Sequence, residues 1–195
     1  MPDSLPPILQ RVVDAGHVAF SNGDYDLNVV GIRSKNQVAN SFDDWITITY
    51  KVDGIWQTKW YACTTDPGTY WLEGYDSSRV KGTAILQPGQ YRGVYAIDKH
   101  GGKYEALCQR NGPVKVWRDS NRDNVLDWGG ATFEGMYGIN IHHASYTGTS
   151  TQVNKWSAGC TVIANIDDFN DFMEVCRRQV KLRGWSKFTY TLIEE

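Results

Sequence analysis

The chain contains no C-x-x-C pair, no apolar run long enough to span a bilayer, and little net charge of either sign. Each absence excludes something. Its four cysteines, Cys63, Cys108, Cys160 and Cys176, are too sparse for a disulfide framework and wrongly spaced for a zinc knuckle. They fit a protein made reduced, in the cytoplasm. A formal net charge of −2 supplies no basic field, so neither nucleic acid nor a membrane surface is expected as a partner. The opening MPDSLPPILQRVVDAG lacks a basic segment followed by a long apolar one, so neither an export signal nor an anchor is expected. No internal repeat or low-complexity tract is visible.

What is present reads as a folded, mainly β protein. Hydrophobic residues make up 41% of the chain and aromatics 13%, a globular rather than a disordered composition. The 195 residues suit one domain with a small appendage, and a monomer is expected. Ile8, Leu9, Val12, Val13 and Phe20 follow Pro6-Pro7. They predict an N-terminal helical segment within residues 1–25, capped by Ser4 or Asp3 and weakened by Gly16. From residue 26 the pattern turns to strands. LNVVGIRS, WITITYKV and WQTKWYACTT alternate with period two and are rich in β-branched and aromatic residues. Asp53-Gly54 between two of them signals a tight hairpin. In WITITYKV, Ile46, Ile48, Tyr50 and Val52 share one face, and Trp45, Thr47, Thr49 and Lys51 the other.

Residues 64–82 read as a long loop, pinned by Tyr70 and Trp71. YRGVYAI, KYEALCQR, PVKVWRD and the terminal FTYTLI continue the strands. His17 and His100 read as solvated or boundary residues. A long helix is predicted over about 166–182, with Ile166, Phe169, Phe172, Met173, Cys176 and Val180 as its apolar stripe. Acidic residues crowd its start, basic residues its end, and Gly184 supplies a stop.

Two places could carry chemistry. In DSNRDNVLD, the residues Asp119, Asn121, Asp123, Val125 and Asp127 stand at the alternate positions of a calcium loop. Asn124 occupies the place of its glycine and Gly130 that of its last, bidentate glutamate. The loop is either a structural calcium site or an Asx-rich turn. No cofactor beyond such an ion is required.

The other is GINIHHASYTGTSTQVNKWSAGCTVI, residues 138–163. Alternation puts Ile139 and Ile141 on a core face and Asn140 and His142 together on the opposite one. A thiol with a pKa near ~8.5 is mostly protonated at neutral pH, and an imidazole beside it can take its proton. Gly159 permits a tight turn beside Cys160, so that amides could face an oxyanion, and Ser157 could hold that turn. The bland alternative is a buried cysteine beside a chance histidine pair.

His142, fourteen intervening residues, then Ser157-Ala158-Gly159-Cys160 resembles the motif of the L,D-transpeptidase (YkuD-type) family. Gln87-Pro88-Gly89-Gln90-Tyr91, within residues 81–97, resembles the turn that precedes the catalytic strands in that family. The resemblance covers residues 81–163. It implies a YkuD-like β-sandwich or barrel, with Cys160 as nucleophile, His142 as base and Gly159 in the oxyanion turn. His143, Ser157, Asn140 and Trp156 are its supporting or substrate-facing candidates. It further implies acyl transfer on peptidoglycan stem peptides. Beside the missing export signal, that suggests a phage endolysin-type enzyme, made in the cytoplasm and acting on the cell wall after release.

The sequence departs from the family at three points. Ala158 stands where many members carry a second histidine. Val162 and Ile163 stand where an Arg or Asn often helps hold substrate, which favours hydrolysis over transfer to an amine. His143 replaces a Ser or Gly whose backbone carbonyl usually orients the catalytic histidine. Two other functions compete: a zinc-dependent wall hydrolase using His142, His143 and Cys160, and a non-catalytic wall-binding or phage structural protein whose aromatics stack on sugars.

Overall fold

The computed structural model describes residues 4–74 and 82–195. The alternating stretches become β1 (Asn28–Arg33), β2 (Asp44–Val52) and β3 (Ile55–Thr64). Asp53 and Gly54 join the last two with φ of 50° and 76°, the left-handed pair that a two-residue hairpin turn requires. The Asp24 carboxylate accepts hydrogen bonds from both of their N–H groups, at 2.7 and 2.9 Å.

The remaining strands are β4 (Thr83–Leu86), β5 (Gly89–His100), β6 (Tyr104–Gln109), β7 (Val114–Asp119), β8 (Phe133–Gly135), β9 (Ile141–His143), β10 (Thr161–Ile163) and β11 (Phe188–Glu194). Among the described residues, eight strands close a barrel in the order β1-β11-β5-β6-β9-β10-β3-β2, and β4-β7-β8 form a separate sheet. The mainly β expectation holds at that level. Pairing is parallel between β1 and β11 and between β9 and β10. It is antiparallel elsewhere in the barrel.

Ile46, Ile48 and Tyr50 turn inward as their parity predicts, joining Tyr61, Leu107, Ile141 and Ile163 in one core. Ala84, Leu86, Val114 and Val116 bring the small sheet into the same cluster, so its position is fixed by apolar burial. Gly31 matters here because a Cβ on it would overlap the hydroxyl of Tyr190. That hydroxyl lies 2.9 Å from Thr161 Oγ1, the residue after Cys160.

The long helix is α3 (Ile166–Arg183). The Asn165 side chain caps it by accepting from the N–H groups of Asp167 and Asp168, and Gly184 ends it at φ 67°. Phe169, Phe172, Met173 and Cys176 are buried in the core. The N-terminal helix, α1, is shorter than the apolar run suggested: it spans Pro7–Asp14, and Gly16 follows at φ 81°. Its N-cap is Pro6, without a side-chain cap, in place of Ser4; Asp3 lies outside the described residues. Ile8, Leu9 and Val12 pack on Val30, Ile32 and Ile193, so the segment covers the barrel's outer face. Among the described residues, no helix is long and apolar enough to cross a membrane.

The segment after β3 reaches the candidate site through a buried ion pair. Arg33, fully buried, lies 3.0 Å from Asp66 and donates to Thr65 Oγ1, Thr65 O and Leu86 O. The chain then makes one helical turn, α2 (Thr69–Leu72). The later part of the predicted loop, 75–81, and the first residue of the Pro-Gly block, Lys81, lie outside the described residues.

Candidate active site

Ser157 organises the cysteine turn. Its Oγ donates to Cys160 O at 2.8 Å and accepts from the Gly159 N–H at 3.1 Å. In this state, therefore, the Gly159 amide holds the turn. Gly159 has φ 116°, and a Cβ there would overlap the carbonyl oxygen of Ala84 on β4. Only glycine allows that backbone shape and that approach together. The turn is clamped from outside by Gly68 N–H, which donates to Ser157 O at 3.0 Å, and by Trp71 Nε1, which donates to Lys155 O at 2.9 Å. Trp71 does pin the loop, as the aromatic pair suggested. Trp156, half-buried, has Lys155 Nζ 6.0 Å from its ring centroid and donates its backbone N–H to Val153 O.

Cys160 emerges half-buried at the start of β10. Its Sγ accepts from the Asn140 N–H at 3.3 Å and donates to Gly138 O at 3.4 Å. Cys63, Cys108 and Cys176 are fully buried, and burial pushes each of their thiols up. The parallel register pairs Thr161 with Ile141 and Val162 with His142. One step back, it sets Cys160 opposite Asn140, two positions before His142 on the adjacent strand.

His142 is buried, and its Nδ1 lies 2.8 Å from His143 O. A carbonyl oxygen can only accept, so the ring proton sits on Nδ1 and Nε2 keeps its lone pair. The side chain at position 143 is irrelevant to this bond, because the backbone oxygen performs it. Burial, with His100 close by, pushes the His142 imidazole down to about 3. At neutral pH it is uncharged, and burial makes it a weaker base than a free imidazole.

Asn140 and His142 share a face, as alternation predicts, and the residue they meet is His100. Asn140 Nδ2 lies 3.0 Å from His100 Nδ1, and the His100 and His142 rings stack at 4.1 Å between centroids, 21° apart. His100 is thus no solvated turn residue. Tyr104, across the β5–β6 hairpin, places its hydroxyl 3.3 Å from His142 Nδ1. Gln109, buried, accepts from the N–H groups of Tyr137 and Ile139 and donates to Gly112 O and Gly135 O. It thereby fixes the segment whose Gly138 carbonyl receives the thiol. Local sequence carries no mark of these roles: His100, Tyr104 and Gln109 lie 30 or more residues upstream and arrive by strand pairing. The one available signal was a histidine at the tip of a hairpin in a chain with four.

The other predicted residues go elsewhere. His143 turns its ring into an aromatic cluster, 4.1 Å from Tyr104, 4.8 Å from Tyr146 and 5.0 Å from Phe169. Successive strand residues face opposite sides, which separates it from His142 and Cys160. Among the described residues, no three His, Cys, Asp or Glu side chains gather as a metal-ion site. In the calcium-like loop, Asn121 Oδ1 and Asp123 Oδ1 accept from the N–H groups of Asp123 and Val125. Asp119 Oδ2 accepts from the Asp127 N–H. Asn121 and Asp123 thus close Asx-type bonds, while Asp119 ties the two ends of the loop together. The left-handed residue is Arg122, φ 66°, and not Asn124.

No protein-family model matches the chain, and neither a curated protein nor a solved structure matches it.

Proposed function

We propose that the protein is a cysteine-dependent acyl-transfer enzyme acting on peptidoglycan stem peptides, with a hydrolytic outcome. The observation that carries this reading is a half-buried thiol just before β10, in parallel register beside the strand that bears His142, whose imidazole is held as its Nδ1–H tautomer. His142 Nε2 takes the proton of Cys160 as Sγ attacks a peptide carbonyl carbon. The C–N bond then breaks, His142 returns the proton to the leaving amine, and a thioester remains. Water, deprotonated by the same imidazole, releases the acid. The Asn140 N–H, aimed at sulfur, is a better partner for a thiolate than for a thiol.

The substrate class comes from the resemblance of His142 and Ser157-Ala158-Gly159-Cys160 to the L,D-transpeptidase motif. The same reading assigns the barrel to the YkuD-like β fold. Hydrolysis is favoured because Val162 and Ile163 offer no charged or amide group for an acceptor. Mass spectrometry of muropeptides after incubation with the protein tests the proposal. Stem peptides shortened by the wild type and left intact by Cys160→Ala would support it. Equal products from both, or none from the wild type, would refute it.

A further inference from the structure

The hydrogen bonds around Asn140 settle more than one tautomer. The backbone N–H of Gln109 can only donate, and it donates to Asn140 Oδ1 at 2.9 Å. The amide orientation follows: Nδ2 is the atom that faces His100 Nδ1. An NH₂ group donates, so His100 Nδ1 is the acceptor and its ring proton sits on Nε2. His142 carries its proton on Nδ1. Two stacked imidazoles are thus locked in opposite tautomers by backbone atoms at either end of a short chain of bonds.

This lock has two consequences. The flat face of His100 lies against His142, and a rotation of the His142 ring would have to break both the stack and the bond to His143 O. In addition, protonating His100 at Nδ1 would aim a donor at the donor Asn140 Nδ2. Nearby basic groups, His143, Arg110 and Lys103, also oppose a charge on His100, with Arg110 itself paired to the Asp98 carboxylate at 2.6 Å; the rings against it are those of His142 and Tyr104. Burial lowers the His100 pKa in the same direction.

Resting on the acyl-transfer reading above, we propose that His100 is a positioning residue. It braces the His142 ring with its Nε2 available, and it remains uncharged while His142 receives the proton of Cys160. The proton leaves Sγ, arrives at His142 Nε2, and never reaches His100. His100 touches neither substrate nor thiol in this scheme.

Alkylation of Cys160 by iodoacetamide tests it without any peptide substrate, because the other three cysteines are buried. Rates would be measured from pH 5 to 10 for the wild type, His142→Ala, His100→Ala and His100→Phe, with mass spectrometry placing the adduct and thermal melting checking the fold. The wild type should react readily at neutral pH, and His142→Ala should fall back to the profile of an ordinary thiol. His100→Ala should lose on the order of tenfold at neutral pH and shift its midpoint upward. His100→Phe, which keeps a flat ring, should recover most of that loss. A His100→Ala protein with wild-type rate and midpoint would overturn the proposal, as would a folded His100→Phe protein no faster than the alanine variant. If His142→Ala itself matched the wild type, the acyl-transfer reading would fail, and the role of His100 with it.

Discussion

Gly159 meets the carbonyl oxygen of Ala84 so closely that any Cβ would overlap it. This contact joins the turn that leads through the nucleophile into barrel strand β10 to the small sheet that lies outside the barrel. The position of Cys160 therefore depends on two sheets at once.

Gly159→Ala should push the turn off β4. Overpacking at a rigid backbone neighbour costs about 1–3 kcal/mol, with a left-handed φ adding to it. Urea unfolding should show a lowered midpoint, and Cys160 alkylation should change its rate. Ala158→Gly, one residue away and without that contact, serves as the comparison. An unchanged midpoint for Gly159→Ala would mean that the turn can shift freely.

Gln109 holds four backbone groups with one side chain. Gln109→Ala would strand them in a buried setting, and each unsatisfied group costs about 1–3 kcal/mol. A large fall in urea midpoint is expected, together with faster hydrogen exchange at Tyr137 and Ile139. Wild-type exchange at those two amides would contradict the assignment.

Two buried groups should give opposite pH dependences. The His142 imidazole falls from its ordinary 6.5 to about 3 in the folded protein. Its contribution to stability is full above 6.5 and is lost as pH drops toward 3. Burial raises the Asp66 carboxyl from 3.8 to about 7 against the pull of Arg33. Its contribution is full below 3.8 and is lost as pH rises toward 7. Melting temperatures from pH 4 to 8 should show His142→Gln losing less than the wild type on acidification below 6.5. Asp66→Asn should lose less between pH 4 and 7. Curves parallel to the wild type would remove either assignment.

Much of the scaffold was legible because its causes are local. Parity in WITITYKV places Ile46 and Ile48 inward, Asp53-Gly54 makes the turn, and Gly184 ends a helix whose stripe repeats every three or four residues. The loop 119–127 was legible only as a choice, since the same side-chain oxygens can bind an ion or close Asx bonds. In the structure the oxygens of Asp119, Asn121 and Asp123 accept backbone N–H groups, and the left-handed residue is Arg122.

By itself the sequence determined the longer strands, the long helix, and the shared face of Asn140 and His142, because side-chain direction follows from the two-residue repeat of a strand; the short strands β4, β8 and β10 were not read from it. Only tertiary structure decided what stands against that face. His100 comes from the tip of the β5–β6 hairpin, Gln109 from the end of β6 and Ala84 from another sheet. Their roles arise from strand pairing between distant segments, which no local pattern of residues encodes.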